Sequence, residues 1–321
     1  MLEIARVEGT NKKAFFALSK RAGYTAKERK YIERYFAYDK TQCAFFIARD
    51  GGSACARVMT WNDTGYNRSS SKRCGFFSLL DGDSRAFPLL LRAAYEAQLS
   101  WENDELIGPI APDASGWFMG QSDGAELSGS FAGIADAGQT EALKAEGFRV
   151  LQTFHAYRLP VPMQNRYRES AQVFGQRCGL KVCALRGIMK RSRLSKAVFD
   201  VATDNRDLLA GQADRISGYI EGDHSFAIKN KEGRYTGYAL SFMGQTPRIA
   251  TIITSEDAYR RPTVALLVSC LIDSYQKSGA ETVELSVIDS RNEASKHLAT
   301  NLGAEAVRCH HVYYKKITRK E

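Results

Sequence analysis

The sequence has no long hydrophobic run. Nowhere among its 321 residues does an apolar stretch approach the roughly 18 residues that a membrane-spanning helix needs, so we expect no membrane span. The beginning, MLEIARVEGT, carries Glu3 and Arg6 where a secretory signal peptide has an unbroken apolar segment. We therefore expect a soluble, cytoplasmic protein. Its 44% of hydrophobic residues suffice for packed cores in two domains of roughly 100–200 residues each.

Cysteines are few and form no disulfide framework. The seven of them are an odd number, scattered along the chain, and Cys178 and Cys183 have the wrong spacing for a CxxC redox or zinc pair. Cys309 precedes His310 and His311, but adjacent residues of a strand point to opposite faces, which makes them poor joint ligands. We expect buried thiols that act as small hydrophobes and no metal site.

Signatures of several other classes are also missing. The sequence has no GxSxG motif and no kinase signature set. The glycines of GRYTGY (233–238) lie in a predicted hairpin with no helix after it, unlike a dinucleotide fingerprint. The net charge of +9 and isoelectric point near 9.1 suit a nucleotide cofactor, an anionic surface or nucleic acid. Because no nucleic-acid module accompanies the basic residues, we expect no nucleic-acid partner and interpret 186–196 and the closing KKITRK as solvated.

What the sequence does contain is a repeat. From residue 248 it reads strand, helix, strand, helix, strand (RIATIITSED, RRPTVALLVSCLIDSYQKSG, ETVELSVIDS, RNEASKHLATNLGA, RCHHVYYKKI). The same order begins at residue 74 with CGFFSLLDGD, SRAFPLLLRAAYEAQLS and ELIGPIAP, and ends, after an insertion, with QTEALKAEGF and FHAYRLP. Pro160 and Pro162 mark a boundary. We predict a mixed α/β fold made of two copies of one domain, residues 1–160 and 161–321.

The two halves also begin alike, with a strand, two helices and a hairpin. The first hairpin turns at residues 50–52 and the second at residues 231–233, where glycines follow charged residues. Between residues 109 and 138 a loop rich in Gly, Ser and Asp holds WFM at 117–119. Aromatic residues in a polar loop favour a binding loop over disordered padding.

This order of elements resembles the GNAT superfamily of acyl-coenzyme-A-dependent N-acyltransferases. The match is closest over residues 254–317, where a strand ends near Asn292, which begins the next helix, and Gly303 ends that helix. Over nearly the whole chain the sequence is similar to a subgroup of bacterial tandem GNAT-like proteins, through FFIARDGG, CGFFSLLDGD, ELIGPIAP and HVYYKKI. The resemblance implies a mixed sheet that splays between its fourth and fifth strands to hold the pantetheine arm of acyl-CoA or acetyl-CoA.

The resemblance also implies a cofactor site in the second domain. Its pyrophosphate turn, at residues 260–263, precedes a helix whose first amides meet phosphate. Family members usually have glycines where this chain has Arg261 and Thr263, and Pro262 removes one donor, so the arginines would supply charge-assisted contacts instead. The residues implied in acyl-CoA binding are Ile253, Thr254, Arg260, Arg261, Thr263, Val264 and Asn292.

The corresponding turn of the first domain is acidic. Its sequence, DGDSRAF, carries Asp81 and Asp83, which would repel a pyrophosphate. We therefore expect no coenzyme A in the first domain.

The catalytic groups follow from what acyl transfer requires. An amine must be made neutral by a base, and an acid must protonate the departing thiolate. Many family members place a tyrosine where this sequence has Ala299. We name Glu256, near the end of the fourth strand, as the base. The candidate acids on the last strand are Tyr313 and His311, beside Tyr314 and His310.

The sequence thus favours an enzyme that transfers an acyl group from acyl-CoA to a small-molecule or lipid amine by direct attack. Two alternatives stay open. Ala299 and the missing glycines fit a non-catalytic GNAT-like protein with a ligand in the cleft between its domains, and the basic segment 186–196 fits an aminoacyl-tRNA-dependent transferase. The acceptor, the acyl chain length and the oligomeric state are not determined by the sequence.

Overall fold

The structure is a computed structural model of the chain. It describes residues 1–7, 12–18, 33, 43–62, 67, 71–110, 121–122, 137–161, 168–202, 222–242, 247–255 and 263–319. The strands are β1 (Leu2–Arg6), β2 (Cys43–Asp50), β3 (Ser53–Asn62), β4 (Cys74–Gly82), β5 (Glu105–Gly108), β6 (Gln121–Ser122), β7 (Arg149–Pro160), β8 (Lys181–Ala184), β9 (Phe226–Lys229), β10 (Tyr235–Phe242), β11 (Arg248–Thr254), β12 (Thr282–Asp289) and β13 (Glu305–Lys316).

The described helices lie between these strands and confirm the predicted mixed α/β class. They are α1 (Lys12–Ala17), α2 (Phe87–Ser100), α3 (Ala137–Ala145), α4 (Arg168–Arg177), α5 (Lys190–Ala202), α6 (Thr263–Lys277) and α7 (Glu293–Asn301). Short 3₁₀ helices occupy Ser84–Ala86 and Gly222–His224. None of these described helices has the length and apolar character needed to cross a membrane.

The chain divides into two compact units that do not simply follow one another along the sequence. The first unit comprises Met1–Phe154 together with Cys309–Glu321, and the second comprises His155–Arg308. We predicted a boundary between residues 160 and 161 and placed the whole of the last strand in the second domain. In the structure residues 309–321, which include most of β13, belong to the first unit, where β13 pairs with β5 and β6.

The first unit is built on one mixed sheet. Its strands follow the order β1-β2-β3-β4-β5-β13, antiparallel except for the parallel pair β4 and β5. The predicted hairpin joins β2 to β3, with Asp50 opposite Ser53. Gly51 and Gly52 between them have φ values of 56° and 85°, which glycine adopts without the cost that a side chain would add.

The core of the first unit lies between this sheet and α2. Helix α2 presents Phe87, Leu90, Leu91 and Ala94 to the sheet, at the spacing of one helix face. Phe77 of β4 packs against Phe148, with ring centroids 5.5 Å apart. Burying apolar surface in this way is the main stabilising contribution to the unit.

The second unit repeats the plan. Strands β8 to β12 lie in chain order and β7 follows β12 at the far side. The strands β8 to β11 are antiparallel to their neighbours, and β11 and β12 are parallel. The predicted hairpin joins β9 to β10, where the N–H of Asn230 donates to the carbonyl of Arg234 at 2.9 Å and Gly233 has a φ of 78°.

In both units the fourth strand is bulged, and the described pairing with the fifth strand includes its first residues. In the first unit Leu79, with a φ of 55°, lies at a bulge in β4 where the register with β3 shifts. The parallel pairing of β4 with β5 covers Cys74 to Phe76. In the second unit the register with β10 shifts at Ala250 of β11, and β11 pairs with β12 at Arg248 and Ile249. Bulges bend a strand and increase its local twist, which favours separation of its far end from its neighbour.

A buried ion pair fixes the end of β4. The Arg57 side chain on β3 is fully buried, and its Nη2 and Nε donate to Oδ2 of Asp81 at 2.6 and 3.2 Å. Its Nη1 donates to the carbonyl of Phe15 at 2.7 Å, and the guanidinium lies 5.0 Å from the centroid of the Phe15 ring. A buried guanidinium is tolerated only when its charge is paired and its N–H donors are hydrogen-bonded in this way.

We expect Asp81→Asn to destabilise the first unit by about 3–5 kcal/mol, because it leaves the Arg57 charge buried without its counter-charge. Denaturant unfolding, followed by intrinsic fluorescence, measures the change. Glu293→Gln serves as the control, since it breaks an exposed pair with Lys296 and exposed pairs contribute little. Equal denaturant midpoints of unfolding for the two variants would contradict a stabilising role of the pair between Arg57 and Asp81.

Candidate functional site

The described part of the predicted cofactor site lies where β11 ends and α6 begins. Ile253 and Thr254 are the last two residues of β11, and Thr263 and Val264 are the first two of α6. The structure therefore brings four of the predicted residues to two adjoining element ends. Outside the described residues lie the three predicted residues of the intervening turn, Glu256, Arg260 and Arg261.

A glycine on the neighbouring strand allows these two ends to approach. Gly237 of β10 pairs with Thr254. A Cβ on Gly237 would lie 3.0 Å from Cγ2 of Thr254 and 3.0 Å from Cγ2 of Thr263. The N–H of Ser255 donates to the carbonyl of Thr236 at 3.0 Å, which continues the pairing one residue past β11. The absence of a side chain at Gly237 thus lets both threonines pack against one point of the sheet.

Thr263 has a buried hydroxyl without a hydrogen-bond partner among the residues that the structure describes. Its side chain is fully buried. A buried unsatisfied hydroxyl costs on the order of 1–3 kcal/mol. At the first residue of α6 this hydroxyl accompanies backbone N–H groups that have no partner within the helix. The positive end of a helix dipole is a position that favours an anion.

Helix α6 is anchored firmly enough to hold such donors in place. Of the apolar face predicted from the sequence, Val264 is half-buried and the rest is buried. The buried members are Leu267, Val268, Leu271 and Tyr275. A helix with this face packed against a sheet keeps its first turn in a defined position.

Asn292 and Gly303 delimit α7, as predicted. The side chain of Asn292 accepts a hydrogen bond from the N–H of Ser295 at 3.0 Å, which makes it the N-cap. At the other end Gly303 has a φ of 77°, and the N–H of Ala304 donates to the carbonyl of Ala299 at 3.0 Å, as in a Schellman motif. The oxygen of Asn292 is therefore engaged in capping, and Ala299 is a buried core residue.

The predicted acids on β13 belong to the first unit. Tyr313 is buried in that unit's core. Burial raises the pKa of Tyr313 above its ordinary value, and a hydrogen bond with the Thr140 side chain opposes part of that rise. His311 is half-buried, and its Nδ1 lies 3.1 Å from Oγ1 of Thr153. The structure thus does not place either residue in the unit that contains the end of β11.

The corresponding turn of the first unit is occupied by its own carboxylate. Asp83 caps the 3₁₀ helix that leads into α2, with Oδ1 accepting from the N–H of Arg85 at 3.0 Å. The guanidinium of Arg85 donates to Oδ2 of Asp83 at 2.6 Å, and Asp81 is paired with Arg57. In the first unit, the helix start that corresponds to the predicted phosphate site is therefore already capped by the carboxylate of Asp83.

Comparison with known proteins gives the fold a name. The sequence matches no family model and no curated protein, but solved structures match it over its whole length. A tandem GNAT protein from the clavulanic acid biosynthesis pathway, solved without AcCoA, has a TM-score of 0.64 at 11% identity, covering 100% of both chains. The chain has the tandem GNAT fold.

Two further structures agree. A GCN5-related N-acetyltransferase from Sphaerobacter thermophilus has a TM-score of 0.60 at 12% identity, covering 100% of this chain and 97% of the other. One from Anabaena variabilis has a TM-score of 0.57 at 8% identity, covering 99% and 73%. The resemblance stated from the sequence is therefore confirmed at the level of the fold. In the GNAT fold of the second unit, β11 and β12 are the fourth and fifth strands.

Sequence reasoning missed the partners of the β13 side chains. Thr140 and Thr153 lie far from β13 along the chain and carry no local signal. Cys309, by contrast, stands two residues before His311, and residues two apart on a strand share a face. That spacing was sufficient to predict that Cys309 and His311 are neighbours.

We expect Asn292→Ala to destabilise the second unit by about 1 kcal/mol, because α7 loses its N-cap. Asn292→Asp keeps the acceptor and adds a charge that favours the helix N-terminus, so its melting temperature should match that of the unchanged protein. Thermal unfolding by circular dichroism measures both. Equal losses in the two variants would show that the amide nitrogen of Asn292, and not its capping oxygen, is what the fold uses.

Proposed function

We propose that this protein transfers an acyl group from acyl-CoA, such as acetyl-CoA, to an amine, and that the second unit holds the acyl-CoA. The observation that carries the proposal is the buried, unpartnered hydroxyl of Thr263 at the start of α6. In the GNAT fold it adjoins the end of the fourth strand, β11, which the resemblance assigns to the acyl-CoA site.

The residues around this point fit a pyrophosphate group. The N–H groups of the first turn of α6 have no partner within the helix, the Thr263 hydroxyl is a further donor, and the helix dipole favours negative charge. Arg260 and Arg261 add two positive charges in the turn, which can compensate for the glycines that other GNAT turns use. Ile253, Thr254 and Val264 would border the same ligand. The acyl-CoA itself supplies an activated thioester.

The first unit fits the same ligand poorly. Asp83 presents a carboxylate at the helix start, where a second anion would be repelled. Arg85 is engaged by that carboxylate and so contributes little charge to a ligand. We therefore propose one acyl-CoA for each chain, in the second unit.

For the chemistry we propose Glu256 as the base. It follows the end of β11 by two residues in the sequence, and the resemblance assigns that strand end to the acyl-CoA site. A carboxylate there removes a proton from the amine, directly or through water, and the neutral amine then attacks the acyl carbon in a ternary complex. The acid that protonates the leaving thiolate stays a prediction for Tyr313 and His311. Ala299 has no role in it, because it is an apolar core residue.

The acceptor is a small-molecule or lipid amine under this proposal. Turnover is measured by release of free coenzyme A thiol with a panel of polyamines, amino sugars, aminoacyl compounds and amine-bearing lipids. Release that depends on one of these amines supports the proposal. Binding of acetyl-CoA without release in any member of the panel would favour the non-catalytic alternative.

We expect the double variant Arg260→Ala and Arg261→Ala to bind acetyl-CoA at least about tenfold more weakly, because charge-assisted contacts to phosphate are lost. Titration calorimetry measures the affinity. Arg85→Ala is the matched control, since it removes an arginine from the equivalent turn of the first unit. An equal loss in both variants, or no loss in the double variant, would refute the assignment of the site to the second unit.

We expect Thr263→Val to weaken acetyl-CoA binding without lowering the stability of the protein. Valine has the same shape as threonine but lacks the buried, unsatisfied hydroxyl, so the melting temperature should stay constant or rise. Binding of acetyl-CoA should weaken about tenfold, since a donor to a charged group is lost. Ser78→Ala is the control, because Ser78 of β4 also has a buried hydroxyl without a partner. Ser78→Ala should leave acetyl-CoA binding unchanged. If Thr263→Val also leaves acetyl-CoA binding unchanged, the Thr263 hydroxyl is not part of the binding site.

A further inference from the structure

A chain of three polar side chains lies in the first unit, whereas the proposed acyl-CoA site belongs to the second. Cys309 and His311 are two residues apart on β13, and Thr153 lies on β7. The Sγ of Cys309 is 3.7 Å from Nε2 of His311, within hydrogen-bonding distance for a sulfur atom. The other ring nitrogen, Nδ1, is 3.1 Å from Oγ1 of Thr153. A thiol, an imidazole and a hydroxyl thus follow one another in contact.

This order is the one that activates a cysteine. A thiolate and not a thiol is the nucleophile, and a neighbouring imidazole can take the thiol proton. The imidazole must present an unprotonated nitrogen to the sulfur. When the Thr153 hydroxyl accepts a hydrogen bond from Nδ1–H of His311, the lone pair of Nε2 faces Sγ of Cys309. Thr153 then fixes the ring orientation and the tautomer, as the third member of a catalytic triad does.

Cys309 is distinguished by its contact with an imidazole; Cys55 and Cys183 are half-buried like it. Burial raises the pKa of Cys74 to about 12 and that of Cys270 to about 11, and it raises that of Cys43 as well; these thiols stay protonated near neutral pH. Cys178 is exposed. Cys309 is half-buried, which leaves it open to a small reagent while it touches a base. The next titratable group along this face of β13 is Tyr313, whose ring centroid lies 6.4 Å from that of His311.

We propose that Cys309 is a nucleophilic thiol that accepts an acyl group from a thioester, with His311 as its base and Thr153 as a positioning residue. The proton of Sγ passes to Nε2 of His311. The sulfur then attacks the acyl carbon, a new S–C bond forms, and the bond between that carbon and the leaving sulfur breaks. The imidazolium returns the proton to the leaving thiolate. One thiol and one thioester are consumed and one of each is formed, so no oxidant or reductant is needed.

This inference goes beyond direct attack by an amine, and it does not depend on the acyl-CoA site of the second unit. A covalently held acyl group could serve as an intermediate in a two-step acyl transfer. It could also be a modification whose extent follows the concentration of the thioester. The substrate class is an acyl thioester of low molecular mass, since Cys309 is only partly exposed.

The first experiment measures thiol reactivity. The folded protein is treated with iodoacetamide at a pH of about 6, where ordinary thiols are almost wholly protonated, and each cysteine is followed by peptide mass spectrometry. Cys309 should be alkylated on the order of tenfold faster than Cys178, the exposed reference within the same chain, whereas Cys43 should stay unmodified. The rate for Cys309 should also reach its half-maximum at a lower pH than the rate for Cys178.

Variants of the two partners show whether the contact produces the reactivity. His311→Asn keeps a hydrogen-bonding group near Thr153 but removes Nε2, and Cys309 should then react like Cys178. Thr153→Val should lower the rate for Cys309 partly, and Thr153→Ser should restore it, because serine keeps the hydroxyl. A merely structural role for Thr153 would leave the pH profile of Cys309 unchanged in Thr153→Val. Circular dichroism confirms that each variant is folded.

The second experiment tests the acyl group. The protein is incubated with the acetyl thioester of N-acetylcysteamine, which lacks the nucleotide and therefore does not require the acyl-CoA site. We expect one acetyl group on Cys309, absent in Cys309→Ser, released by hydroxylamine, and retained in the double variant Arg260→Ala and Arg261→Ala. Alkylation of Cys309 no faster than that of Cys178, or acetyl groups found only on other residues, overturns the proposal. Neither result bears on acetyl-CoA binding by the second unit, so the two proposals fail separately.

Discussion

Each unit of this protein depends on a parallel strand pair that is joined at its beginning. In the first unit β4 and β5 pair from Cys74 to Phe76, and in the second β11 and β12 pair at Arg248 and Ile249. The fourth strand of each unit leads toward the next helix, and the groups described there differ between the two units. At the end of β4 two carboxylates are paired within the unit, Asp81 with Arg57 and Asp83 with Arg85.

The end of β11 is satisfied differently. Gly237 and Ser255 extend the pairing with β10, yet the Thr263 hydroxyl is left over at the start of α6. Two copies of one architecture therefore differ at the same point. In one copy Asp83 caps the helix start; in the other the first turn of α6 holds no acidic residue, and we propose that it meets an anion. This difference is a physical reason why a duplicated fold can keep a ligand in one copy only.

Local features of the fold could be predicted from the sequence. The repeat of strands and helices gave the fold class, the glycines at 51, 52 and 233 located both hairpins, and Asn292 and Gly303 gave the ends of α7. These features depend on residues close together in the chain, where backbone conformation and capping leave a readable signal. The spacing of Val264, Leu267 and Leu271 likewise identified the buried face of α6.

Non-local features could not be predicted in the same way. Nothing in the HVYYKKI segment indicates that it pairs with Glu105–Gly108, and the structure groups residues 309–321, with Tyr313 and His311, with the first unit, whereas the sequence division was drawn at residue 160. The pairing depends on partners about two hundred residues away, which periodicity cannot encode. The contact between Cys309 and His311 is predictable from the sequence, because residues two apart on a strand share a face.

The placement of β13 has a consequence for how the chain acquires its structure. Residues 309–321 belong with a unit whose other residues are all numbered below 155. During synthesis the chain emerges at about 5–20 residues per second. The sixth strand of the first unit's sheet, β13, is therefore synthesised only after the residues of the second unit. Until then β5 presents an unpaired edge, which is a template for pairing with other chains. The unit that is made first is therefore the one that is completed last.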